Sequence, residues 1–215
     1  MLARSYAALL VYLVSFAAAE GLGILTYRHL LRQGVQEAHA TAIFDLTVSS
    51  FRITTLYMIL SASGYSILRV IYKPLPSKAG LLLALGLLCL VVAEDYFSSI
   101  LVAGSYSPQL ADLGYYLKQG FLAGYPLKLL YYFSEIMALN SLYIIVLDSL
   151  GGGVKGFAGS LLVLIILWAL PHALTKSSPY AAVDAVLFVG VAYAGFFVSS
   201  SPVLPVMLWF AKLVA

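Results

Sequence analysis

Residues 79–104 read AGLLLALGLLCLVVAEDYFSSILVAG, an unbroken apolar run from Ala79 to Ala93 that meets two adjacent carboxylates, Glu94 and Asp95. A helix crossing the roughly 30 Å hydrocarbon core needs about 20 mostly apolar residues at 1.5 Å each, so this stretch predicts a membrane span. Lipid offers the backbone no hydrogen-bond partners, which leaves the helix as the form such a run can take there.

The rest of the chain repeats the pattern. Of 215 residues, 62% are hydrophobic and 10% are charged, and mean hydropathy is +0.98. Soluble domains carry about 25% charged residues and keep a solvated exterior. The composition therefore predicts an all-α, polytopic bundle of about six transmembrane helices, six or seven if the last run is broken. It forms one membrane-embedded domain, with helices expected near residues 5–27, 53–71, 79–104, 126–150, 157–174 and 181–214.

Local signals refine these boundaries. Arg4, the apolar run after it and Ala17-Ala18-Ala19 have the layout of a signal peptide, but the segment reads as a first spanning helix. The helical pattern from Thr41 to Tyr72 is too long for one crossing. Its spanning part is expected at 53–71, with Arg52 at the rim and Pro74 and Pro76 beyond its end. A Ser/Tyr/Gly-rich loop follows Gly104, and Gly151-Gly152-Gly153 reads as a flexible hairpin. In the last run, Ser199-Ser200-Ser201-Pro202 and Pro205 predict a Pro kink, with a broken helix and a terminal half-helix as the alternative. Small residues at four-residue spacing (Ala17/Gly21, Ala19/Gly23, Gly80/Ala84, Gly190/Ala194) predict close helix contacts. The 16 tyrosines suit interfacial belts.

Orientation rests on basic residues. With the amino terminus inside, Arg4, Arg69, Lys73, Lys78, Lys155 and Lys212 lie inside, against Arg28, Arg32, Lys118 and Lys176 outside. This positive-inside bias predicts a multi-pass protein of the cell membrane with cytoplasmic termini.

Several functions lack their residues. No basic stripe is present for nucleic acid. Cys89 is the only cysteine, which rules out an intrachain disulfide, and no zinc spacing occurs. The scarcity of heat-labile Asn and Cys fits a heat-adapted source. Residues 151–156 lack the Gly-Lys-Ser/Thr ending of a phosphate loop. There is no serial-arginine voltage sensor, no lysine deep in the last helix of the kind that holds retinal, and no Gly-x-Ser-x-Gly or His-Glu-x-x-His motif. No cofactor is assigned.

The candidate functional residues are the ionisable groups within the spans, each costing about 2.5–3.5 kcal/mol at mid-bilayer on insertion scales. Glu94 and Asp95 point about 100° apart on their helix, with Ser98 one turn on. They suit a proton, a cation or a divalent metal, or else burial against a Tyr or Arg. Glu135 follows Tyr131 and Tyr132, with Lys128 on the same face. It either forms a structural Lys–Glu lock or meets Glu94 in a proton-coupled site. Glu20 is a further carboxylate, and Asn140 and Ser141 are neutral ligands or interhelical hydrogen-bond formers. A polar stripe (Asp45, Ser49, Arg52, Thr55, Ser63, Ser66) marks the second helix. There Arg52 either snorkels, pairs with a carboxylate of another helix or binds an anionic headgroup. His29 and His39 fall in the first loop. His172 with Asp184 is a weak metal candidate, the bland reading being a solvated helix end.

These residues favour a small integral membrane transporter or channel for a cation or polar solute, proton-coupled through buried carboxylates. Two alternatives stay open: an intramembrane enzyme acting on a lipid-linked substrate, and a non-catalytic subunit of a membrane complex. The expected partners are the lipid bilayer and a small solute or cation, with a homo-oligomer or a membrane-complex partner left open.

Overall fold

A computed structural model of the chain describes residues 2–66, 69–70, 78–103, 110–171 and 179–214, and among these there is no strand. The helices are α1 (Leu2–Arg32), α2 (Glu37–Ser63), α3 (Lys78–Ala103), α4 (Leu110–Lys118), α5 (Gly124–Ser149), α6 (Gly153–Leu164, continued by a π-helical turn Ile165–Ala169), α7 (Pro179–Ser199) and α8 (Val203–Val214). Five of them are long and apolar enough to cross a membrane, within α1, α2, α3, α5 and α7. Their surfaces expose large apolar side chains, Leu82 at 70% and Phe97 at 64% among them.

Contacts divide the chain into two compact units, Met1–Ile67 with Leu110–Ser141 and Leu68–Gln109 with Leu142–Ala215. The first contains α1, α2, α4 and the larger part of α5. Here α1 and α2 form a hairpin. They approach closely at Gly23, where any Cβ would collide with Val48 and Phe44. Ala19 and Gly23 are buried while Ala17 and Gly21 are exposed, so one of the two small-residue pairs makes the contact. Helix α4 lies inside the stretch expected to be a loop, where Tyr116 packs with Ala38 and Ala42. His39 lies in α2, outside the expected loop, with its ring stacked 4.1 Å from that of Phe121.

Helix α2 spans Glu37–Ser63, so it starts and ends well before the 53–71 that the sequence pattern implies. Its stop is a glycine rather than a proline. Gly64 takes φ 78°, and the amides of Gly64 and Tyr65 return to Ser61 and Leu60 carbonyls, a left-handed cap that glycine adopts without Cβ strain. Arg52 therefore sits in the helix interior and not at its rim.

The second unit holds α3, the end of α5, α6, α7 and α8. Gly151, Gly152 and Gly153 all have positive φ and turn the chain sharply between α5 and α6. The two helices then approach so closely that a Cβ on Gly156 would lie 2.7 Å from the Leu147 carbonyl oxygen. Leu170 donates to the Ile165 carbonyl at 2.9 Å, the wider π spacing, just before Pro171, which has no amide to donate and crowds the preceding turn.

The kink expected in the last run is instead a reversal. Helix α7 ends at Ser199, Ser200 adopts φ 52°, and α8 starts at Val203. Contacts then pair earlier residues of α7 with later residues of α8. Leu204 covers Gly195, Trp209 meets Phe188 at 4.8 Å, and Lys212 meets Asp184 at 2.6 Å. This pattern defines an antiparallel hairpin. The core of the unit is aromatic, built from Trp168, Phe188, Trp209, Tyr143, Tyr193 and Phe196. Tyr12, Tyr116, Tyr143 and Tyr193 are all buried, so these tyrosines pack inside their units and do not form interfacial belts.

Candidate functional site

The hairpin delivers a lysine to the acidic pair that marks α3. Lys212 Nζ lies 2.9 Å from Glu94 Oε2, 3.2 Å from Asp95 Oδ1 and 2.6 Å from Asp184 Oδ1. Glu94 and Asp95 diverge around α3, yet the long lysine side chain can reach both because its ammonium carries three donors. The Lys212 and Asp95 side chains are 9% and 2% exposed. The Lys212 ammonium lies 5.9 Å from the centroid of the Phe188 ring. Glu94 Oε1 is buried.

Three carboxylates meet one ammonium among apolar helices. A group of this kind has the chemistry to hold a proton or a small cation. Asp184, weighed in the sequence only beside His172, belongs to this cluster. Lys212 itself was missed because a position near the sequence end reads as solvated. The available signal was its isolation, as the one charged residue of an otherwise apolar α8.

The first unit contains a second ionic cluster. Arg52 pairs with Glu20 of α1, and its guanidinium stacks on Phe16 at 4.5 Å and Tyr131 at 4.7 Å. Its side chain is 2% exposed, which replaces the snorkelling reading with a buried guanidinium paired to a part-exposed carboxylate. Tyr131 Oη donates to Glu20 Oε1 at 3.3 Å, and Glu135 is buried in the same unit. The Arg52 Nε and Nη1 groups lack hydrogen-bond partners, as does Tyr12 Oη. They border a cavity of about 20 Å³, enough for one water molecule.

Nearby, Asp45 is fully buried and accepts from Lys128 Nζ at 3.4 Å and Tyr116 Oη at 3.3 Å. Lys128 is thus engaged with α2. Asn140 and Ser141 are buried on α5, and Ser141 Oγ donates to the Met137 carbonyl at 2.8 Å.

Of the candidates read from sequence, Glu94, Asp95 and Asp184 come together in the second unit, and Glu20 and Arg52 in the first, to which Glu135 and Asn140 also belong. His172 and the side chains of Ser63 and Ser98 lie outside the described residues. Among the described residues no group of three or more His, Cys, Asp or Glu is arranged to hold a metal ion. No protein-family model, curated protein or solved structure matches the chain.

Proposed function

We propose that the chain is an integral protein of the cell membrane that moves a cation or a polar solute, with the Lys212 cluster as its ion-binding and proton-binding site. One observation carries this reading: three carboxylates from two long apolar helices converge on a single ammonium. The five long apolar helices and the leucine-rich surface support membrane insertion. Gly153–Ala169, a shorter apolar helix, serves as the sixth span. In this reading the amino terminus is cytoplasmic, on the side of Arg4, Arg69, Lys73, Lys78 and Lys155, while α8 turns back into the bilayer after the break as a half-helix and carries Lys212 with it.

In this reading Lys212 is an internal counter-ion. A cation or proton arriving at Glu94, Asp95 or Asp184 weakens the hold on the ammonium, and its departure restores it. The ligand and Lys212 compete for the same oxygens, which couples occupancy to the position of α8.

The test is reconstitution into liposomes carrying an internal pH dye, with gradients of Na⁺ or K⁺ imposed. Cation-driven proton movement that is lost in Glu94→Gln and Asp184→Asn, with both variants still folded, is the expected result. Equal fluxes in wild type, variants and empty liposomes would remove the proposal.

A second reading is favoured by the pairing itself. Glu20, Asp45 and the Glu94 cluster each hold a basic side chain, as buried charges do in a non-catalytic subunit whose ion pairs lock helices. Co-purification of a fixed membrane partner, with no flux by the isolated chain, is the result that selects it.

A further inference from the structure

The second unit also contains a cavity of about 400 Å³ beside the α7–α8 break, separate from the Lys212 cluster. Its size falls within the roughly 300–1,000 Å³ of small-molecule sites. Ile144, Leu147, Phe196 and Phe197 supply apolar walls, and Arg69 and Asp148 supply charge. Arg69 Nη2 lies 2.9 Å from Asp148 Oδ2, and the two side chains are 54% and 34% exposed. An ion pair so open to solvent contributes little, so a ligand can exchange it readily. Tyr143 is fully buried, and its hydroxyl has no hydrogen-bond partner among the described residues. Its ring is held by Tyr193 at 4.9 Å and Phe196 at 4.7 Å.

We propose that this cavity binds a small amphipathic zwitterion, a molecule with an anionic group, an ammonium group and an apolar remainder. The anion takes the Arg69 guanidinium, whose planar fork suits carboxylate or phosphate. The ammonium takes Asp148, and the apolar part lies against Phe196 and Phe197. Two sources share this chemistry: a free hydrophobic amino acid and an ethanolamine phospholipid headgroup.

The full chain, purified in detergent, is assayed with tritiated L-phenylalanine and, by native mass spectrometry, with palmitoyl lysophosphatidylethanolamine. Whichever probe binds saturably identifies the source. Phenylalanine methyl ester, hydrocinnamic acid and lysophosphatidic acid each lack one of the two charges and are expected to bind at least about ten-fold more weakly, the loss of one charged contact. Arg69→Gln and Asp148→Asn, both at exposed positions, are expected to weaken the zwitterion by a similar factor. Equal affinity for single-charge analogues, unchanged affinity in both variants, or no saturable binding of either zwitterion to the wild type would overturn the proposal.

Discussion

Lys212 Nζ stands 2.6 Å from Asp184 Oδ1, on helices the chain must reverse to bring side by side. The hairpin thus closes around an ion pair at one end and around Gly195 against Leu204 at the other. Since Glu94 and Asp95 hold the same ammonium, α8 is tied electrostatically to α3 as well as to α7. Removing the lysine leaves three carboxylates repelling one another.

Lys212→Met is expected to destabilise the protein by about 3–5 kcal/mol, the range for stranding buried charge, although Met preserves the apolar stem. The loss should shrink as pH falls, because protonating the stranded carboxylates removes their repulsion. Thermal melts followed by Trp168 and Trp209 emission at several pH values measure both effects. A pH-independent deficit would mean that Lys212 contributes through packing alone.

Much of the helical architecture was legible because the apolar runs are long and their ends carry glycines or prolines. The misplacement of α2 shows where legibility ended. Thr41 to Tyr72 carries one continuous helical pattern, and only the left-handed cap at Gly64 decides where the helix stops. The site was legible in part. Glu94 and Asp95 announced themselves by interrupting an apolar run, whereas their partner depended on a chain reversal at Ser200 that local pattern reads equally well as a kink. Asp45 looked like one member of a polar stripe, and nothing local indicates that Lys128 and Tyr116 close over it.

Arg52 and Glu20 are expected to be strongly coupled. Glu20→Gln strands a buried guanidinium that already has two unpartnered N–H groups, and Arg52→Gln strands a carboxylate. The double variant should recover part of the combined loss, with an interaction energy of about 1–3 kcal/mol in a double-mutant cycle. Additive single effects, measured by melting in one detergent, would mean the ion pair contributes nothing.

The glycines separate into those at contacts and those without neighbours. Gly156→Ala drives a Cβ toward the Leu147 carbonyl oxygen, and since that atom is backbone the α5–α6 hairpin must shift. A loss of about 1–3 kcal/mol is expected, as for other overpacked positions. Gly190→Ala meets nothing within 4 Å and should be neutral or slightly stabilising, because alanine is the better helix former. Melting temperatures in the opposite order would contradict the packing of α5 against α6.

Ser200 is the one non-glycine residue with positive φ among the described residues, at 52°, and it sits where α7 gives way to α8. A left-handed conformation costs an L-residue about 1–2 kcal/mol, so the reversal is held against local preference by what surrounds it. Those holders are the Ser199 Oγ, which accepts from the Ser201 amide at 3.1 Å, and the contacts of α8 with α7. Ser200→Gly relieves the strain and should raise the melting temperature, despite the greater freedom glycine gives the unfolded chain. Ser200→Val should lower it, since a β-branched residue tolerates this region least. The side chain is exposed, so neither change disturbs a packed core and the two shifts report the backbone alone. If valine were tolerated as well as glycine, Ser200 would not be left-handed in the folded protein, and α7 and α8 would instead join as a continuous kinked helix.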